Sequence, residues 1–251
     1  MEGESGQVAW LREETPAANP VCEYDWMPLP MSLYWLAHNP HGRRLIGEPM
    51  LKIALAAGCL GELMLCRRIV LHEDVARVVA PQTCPPTDRV SQAVHQKILT
   101  GELGYDLADW LSELSGDALS WVTTALWQAD QIEPAPVSAA TSLQRWFGPP
   151  AAEYVPVNQR IAEQTTVILS SRIHRRGQWS ELQDSDRVLV GIALAAGLRR
   201  PLMLDYAEPD VRAYAKQAVS GLSPPWQRLL GLLVAEAEAA IGRAVMAPRH
   251  R

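Results

Sequence analysis

The groups in this chain with the means to do chemistry are four pairs of adjacent arginines, one glutamate inside an apolar run, and two histidines three positions apart. The doublets are Arg43-Arg44, Arg67-Arg68, Arg175-Arg176 and Arg199-Arg200. A guanidinium presents a flat fork of donors that matches phosphate or carboxylate oxygens two at a time. Each doublet sits in or beside a turn, which leaves two readings open. The arginines end helices and lie solvated, complementing the negative helix C-terminus. Or two or more doublets converge on one face and meet anionic headgroups, each cation contributing about 1 kcal/mol near such a surface.

Glu62 is the outlier in the run from Leu45 to Cys66. A carboxylate among leucines and alanines must be paired or hydrogen-bonded, or its pKa rises. The plain expectation is an ion pair with Arg67 or Arg68. The chemical alternative is a general acid or base, with His38 as the second residue to test. His38 and His41 have the spacing of a metal pair, but Asn39-Pro40 between them breaks any regular helix face, and no metal site is expected. The four cysteines, Cys22, Cys59, Cys66 and Cys84, contain no CxxC pair. They read as reduced, mostly buried thiols rather than a zinc site. Gly-rich phosphate loops, GxSxG and HExxH are missing from the sequence, so no catalytic residue and no cofactor is assigned.

Those side chains need a scaffold, and the composition allows one. The 251 residues carry 48% hydrophobic residues, enough for a sizeable core, with a formal net charge of -5. That charge argues against a general nucleic-acid binder, which is usually basic. Only Lys52, Lys97 and Lys216 are lysines, so 20 of the 23 basic residues are arginines, a bias read first as codon usage, with a guanidinium surface for phosphate as the functional alternative. The first ten residues have neither a basic segment nor an apolar one, so no secretory signal is read there. Glu48, Lys52 and Glu62 interrupt the longest apolar stretch, and Val188 to Leu198 is shorter than the ~20 residues that span a bilayer. A soluble, cytoplasmic protein is expected.

The elements follow from periodicity. Residues 1–28, with Pro16, Pro20 and Pro28, read as a flexible lead-in. Leu33, Leu36 and Ala37 form a short helix that Asn39-Pro40 ends, and residues 41–44 make a turn. Pro49 opens a helix, as proline does in a first turn. Its apolar positions cover nearly the whole circumference, which places it in the middle of a bundle. Ile69 to Leu71 and Val75 to Ala80 read as strands of a hairpin turning at His72-Glu73-Asp74. Helices are predicted over 90–99, 107–114, up to Gln128, 157–175, 184–198, 209–220 and 225–245. Ile132 to Tyr154, with four prolines and Trp146-Phe147 in its middle, reads as a hairpin or long loop. IALAAG occurs at Ile53–Gly58 and again at Ile192–Gly197. The flanking residues do not match, so two independent buried helices explain the echo better than a duplication.

The order of these segments resembles the Golgi phosphoprotein 3 family. LYWLAHNPHGRRLIG is similar to its opening element and polar turn, and ALAAGCLGELMLCRRIVL to its central helix and following strand. PPTDRVSQAV, DLADWLSELSG and DSDRVLVGIALAAGL follow at the family's places, closest to its bacterial members. The resemblance runs from Leu29 to Val245. It implies a mostly helical fold and a non-enzymatic peripheral adaptor. The eukaryotic members bind phosphatidylinositol 4-phosphate, a phosphoinositide, and hold Golgi enzymes by their cytoplasmic tails. Their headgroup pocket uses a Trp and an Arg around the central helix and two Arg from a later one. With the register set by the ExxLxxxRI-like spacing, the first two fall at Gly47 and Ala56; the later pair falls near Gly116 and Leu119, and none is carried over.

The expectation is therefore a mostly α, single helical-bundle domain with apolar central helices and a few short β-hairpins. It spans 29–246, between the lead-in 1–28 and a tail 247–251. Its expected work is weak lipid binding to anionic phospholipid headgroups at the inner face of the membrane. Arg43, Arg44, Arg67 and Arg68 would meet the headgroups, and Trp146 and Phe147 would act as an apolar wedge. Two other readings stay open: a protein-interaction or homo-oligomerisation module without lipid, and an enzyme with a closed pocket around Glu62 and His38.

Overall fold

A computed structural model describes residues 27–72, 77–79, 86, 88–101, 105–135, 154–174, 183–202, 217 and 219–246. Among these the chain is mostly helical. Helix α1 (Leu29–Leu36) starts one turn earlier than its apolar spacing predicted, and seven of its eight residues are buried. Helix α2 (Glu48–Leu65) is the axis of the bundle. Every residue from Ile53 to Leu63 is buried, as an all-round apolar helix requires. It packs against α1, α3 (Arg89–Thr100), α4 (Leu107–Ser115), α5 (Ala118–Gln128) and two late helices. Gly58 lets α1 approach: a Cβ there would stand 2.6 Å from Leu33 Cδ1 and 3.3 Å from the Pro30 Cα.

Two short antiparallel pairs decorate the bundle. Strand β1 (Val70–His72) pairs with β2 (Arg77–Val79) in the register Val70↔Val79, Leu71↔Val78, His72↔Arg77. Strand β3 (Ile132–Pro134) pairs with β4 (Tyr154–Pro156), Ile132 opposite Pro156, so the segment between them leaves and returns side by side. Acidic caps set the middle helices. Asp88 accepts the Ser91 N–H at 2.8 Å, and Asp106 and Asp109 cap α4 reciprocally.

Helix α6 (Gln159–His174) packs on α1, and α7 (Asp184–Ala195) fills the far side of α2. The four-residue α8 (Arg199–Leu202) and the long α9 (Pro224–Met246) complete the described elements. The IALAAG echo resolves by context. In α2 its glycine lies mid-helix under α1. In α7 the same letters end the helix: Gly197 turns left-handed at φ 81°, and Leu198 N–H reaches back to Ala193 O at 2.8 Å. Among the described residues no helix is long and apolar enough to cross a membrane. Most of the lead-in, the turn between β1 and β2, most of 209–220 and the tail 247–251 lie outside the described residues.

Candidate functional site

The turn between α1 and α2 is built from one asparagine. Asn39 Oδ1 accepts the N–H groups of His41 and Arg43, at 3.0 and 2.9 Å. Its own N–H donates to Arg43 O, and its carbonyl accepts from Gly42. Gly42 takes φ 77°, and a Cβ there would run into the Tyr154 carbonyl oxygen of β4. Only glycine meets both demands. The turn is thus pressed against the β3–β4 pair, which fixes where Arg44 emerges. His38 anchors the other limb, its ring stacked on Tyr34 at 4.1 Å and Nδ1 2.7 Å from the Tyr34 carbonyl.

Beside this turn lies a cavity of about 320 Å³, within the usual range for small-molecule sites. Tyr34 and His38 come from α1 and its end, Arg44, Glu48 and Lys52 from the turn and the start of α2, and Tyr154 from β4. The wall opposite is Gly116, at the end of α4, and the first part of α5, with Leu119, Ser120 and Thr123. Glu48 joins the two cations: Oε2 accepts from Arg44 Nη1 at 2.7 Å and Oε1 lies 2.9 Å from Lys52 Nζ. Its hydrogen bonds to Arg44, then Lys52, hold its carboxyl below the ordinary range. Burial pushes the Tyr34 hydroxyl up to about 12, with Tyr154 adding and Arg44 opposing. The cavity thus carries two cations against one carboxylate, with hydroxyls from Tyr34, Ser120, Thr123 and Tyr154. The first turns of α2 and α5 both reach its wall, and helix N-termini favour anions. Such a surface suits a compact anion with several oxygens.

The predicted headgroup arginines divide. Arg44 lines the cavity, and Arg43 lies exposed in the same turn. Arg67 and Arg68 sit at the opposite end of α2, whose 18 residues run about 27 Å. One headgroup cannot touch both doublets. Arg67 stands in the left-handed position that ends the helix, at φ 52°, and Arg68 N–H closes the motif on Leu63 O at 2.7 Å. Arg68 Nε is buried without a hydrogen-bond partner. Arg199 and Arg200 are exposed on α8. Trp146, Phe147, Arg175 and Arg176 lie outside the described residues. Lys52 is the cation the sequence reading overlooked. The signal was there in the i, i+4 ladder Arg44–Glu48–Lys52.

The expected ion pair of Glu62 is corrected. Glu62 is 4% exposed, and its Oε2 accepts the Leu29 N–H at 2.8 Å. The physical reason is at the start of α1, where Pro28 has no side-chain acceptor to offer as a cap and Pro30 has no N–H. Burial lifts the Glu62 carboxyl to about 7; the Leu29 bond lowers it and Asp88 raises it further. Glu62 lines neither this cavity nor the apolar one behind the turn. Among the described residues no cluster of side chains is arranged to hold a metal ion. Cys59 is the buried free thiol expected, and burial pushes its pKa up. Cys66 is not the reduced thiol expected: it is disulfide-bonded, its Sγ 3.8 Å from Glu62 Oε1.

The family model described as Golgi phosphoprotein 3 (GPP34) matches residues 29–241. That span covers every described helix and both described strand pairs, up to the last turn of α9. No curated protein matches the chain.

Proposed function

The chain belongs to the Golgi phosphoprotein 3 family, and from that premise we propose that it is a non-enzymatic peripheral membrane adaptor. It seats an anionic phosphate headgroup in the cavity between α1, α2 and α5. Arg44 and Lys52 supply the charge, and Tyr34, Ser120 and Tyr154 supply hydroxyls. The observation that carries the reading is a cavity with two cations and one carboxylate, Arg44 and Lys52 lying opposite a wall at Gly116 and Leu119. The resemblance puts the family's later headgroup arginines near that wall, so the proposed site takes its charge from the other side.

The affinity is modest. Two cations near an anionic surface contribute about 1 kcal/mol each, and Glu48 cancels part of that. Arg43 adds to the surface charge around the turn. Arg67 and Arg68 act as a separate patch, and Trp146 and Phe147 serve as the apolar wedge that converts encounter into residence. Adaptor function then consists in presenting the remaining surface to protein partners at the inner face of the membrane.

Co-flotation with liposomes tests this. Vesicles containing phosphatidylinositol 4-phosphate or phosphatidylserine should carry the protein upward at low salt, and moderate salt should release it. The double variant Arg44→Ala/Lys52→Ala should lose most of the bound fraction. Flotation that is absent, or indifferent to lipid charge, would overturn the lipid reading. It would leave a protein-interaction module of the same family.

A further inference from the structure

We propose that the chain also binds one acyl chain, in an apolar cavity behind the same turn, so that its full ligand is a phosphate-bearing amphiphile. The inference rests on the headgroup reading and adds the tail to it. The second cavity measures about 400 Å³ and lies between the turn, α6 and α8. Its apolar walls are Pro40, Leu45, Ala162, Val167 and Pro201. Leu45 is 48% exposed and Val167 62%, so the cavity opens to solvent with apolar side chains at its mouth. Water against such a concave surface is unfavourable, and covering it with hydrocarbon is the direct relief.

Charge and position identify the occupant. Glu163 and Arg200 are the charged residues of this cavity, one of each sign. With no net charge, it does not select a second anion. The first cavity, two cations to one carboxylate, does. His38 lines both, and the turn divides them: Gly42 and Arg44 face the polar side, and Asn39, Pro40 and Leu45 the apolar side. A single ligand that fills the pair must be anionic at one end and apolar at the other. A monoacyl or diacyl glycerol phosphate has that form, and a free inorganic or sugar phosphate does not.

The test is a chain-length series. The whole protein is titrated calorimetrically with inorganic phosphate, glycerol 3-phosphate and monoacyl glycerol phosphates of increasing tail length, each below its micelle concentration. Each methylene buried should strengthen binding about fourfold, so the tail should add at least a hundredfold (about four methylenes) over glycerol 3-phosphate. Thr166→Trp, which fills the cavity from the half-buried face of α6, should abolish that gain and leave glycerol 3-phosphate binding intact. Leu45→Ser, at an exposed position with little bearing on folding, should reduce it. Thermal unfolding of both variants checks their fold. Affinity independent of tail length, with phosphate binding retained, overturns the acyl site and leaves the headgroup reading standing. A gain insensitive to both variants places the tail elsewhere and also overturns it. A gain that survives Arg44→Ala/Lys52→Ala and extends to neutral monoacylglycerols overturns the headgroup reading instead. No binding of any probe overturns both.

Discussion

Replacing Glu62 by glutamine should make the protein's stability less sensitive to pH. In the fold this carboxyl titrates near 7 against an ordinary 4.5, because burial disfavours its charge more than the Leu29 amide supports it. A raised pKa means that the folded state holds the proton over a range where the unfolded chain has released it. Stability from this group is therefore complete below about 4.5 and is lost as pH rises through about 7. At about 1.4 kcal/mol per pH unit, the full loss is about 3 kcal/mol. Between about pH 5 and pH 8 the change is roughly 2–3 kcal/mol. Glutamine keeps an oxygen to accept from Leu29 and cannot ionise. Its amide hydrogens cost about 1 kcal/mol if they stay unpaired, equally at every pH. Urea unfolding of wild type and Glu62→Gln at several pH values, followed by tryptophan fluorescence, isolates the difference. The variant should gain on the wild type steadily from acid to alkaline conditions. A difference that is flat with pH would refute the burial argument. A variant that loses ground as pH rises would show a carboxylate paired with Arg67 or Arg68 after all.

Three further outcomes are expected. Arg67→Gly should stabilise the protein by about 0.5–1 kcal/mol, because glycine takes the left-handed position at the end of α2 without the steric cost; a lowered thermal midpoint would contradict this. Gly58→Val should cost about 1–3 kcal/mol or more in urea unfolding, since the added atoms meet Leu33 and the Pro30 backbone; a neutral result would mean that α1 is not held as closely as described. Glu48→Gln should strengthen vesicle binding several-fold, by releasing Arg44 and Lys52 from their shared carboxylate, an effect of about 1 kcal/mol; unchanged flotation would remove the cavity from the binding surface.

The helices were legible because their signals are local. Pro49 and the nearly complete apolar circumference announced α2, Asn39-Pro40 marked the end of α1, and Gly116-Asp117 separated α4 from α5. The cavity was not legible. Its walls come from Tyr34, Lys52, Ser120 and Tyr154, spread over nearly half of the chain, and no spacing rule joins them. Lys52 read only as an interruption of an apolar run, although its partner stands four residues back. Glu62 was correctly singled out and wrongly paired. Its donor is a backbone amide, and a backbone amide has no letter in the sequence; the hint was proline on both sides of Leu29. The disulfide of Cys66 was missed because four unpatterned cysteines say nothing about which of them meet.

The same borrowed acceptor imposes an order on assembly. Helix α1 has eight residues, well short of the roughly 12–15 at which an isolated helix begins to hold itself. Its first amide finds its oxygen 33 positions further along the chain. During synthesis the first described helix to leave the ribosome therefore has no stable start until Glu62 has followed it and α2 has formed. Leu29 to Leu36, with Tyr34 and Trp35 among them, wait as an exposed apolar strip in that interval. In refolding experiments α2 should gain amide protection before α1, and any chaperone dependence of this protein should act on that strip.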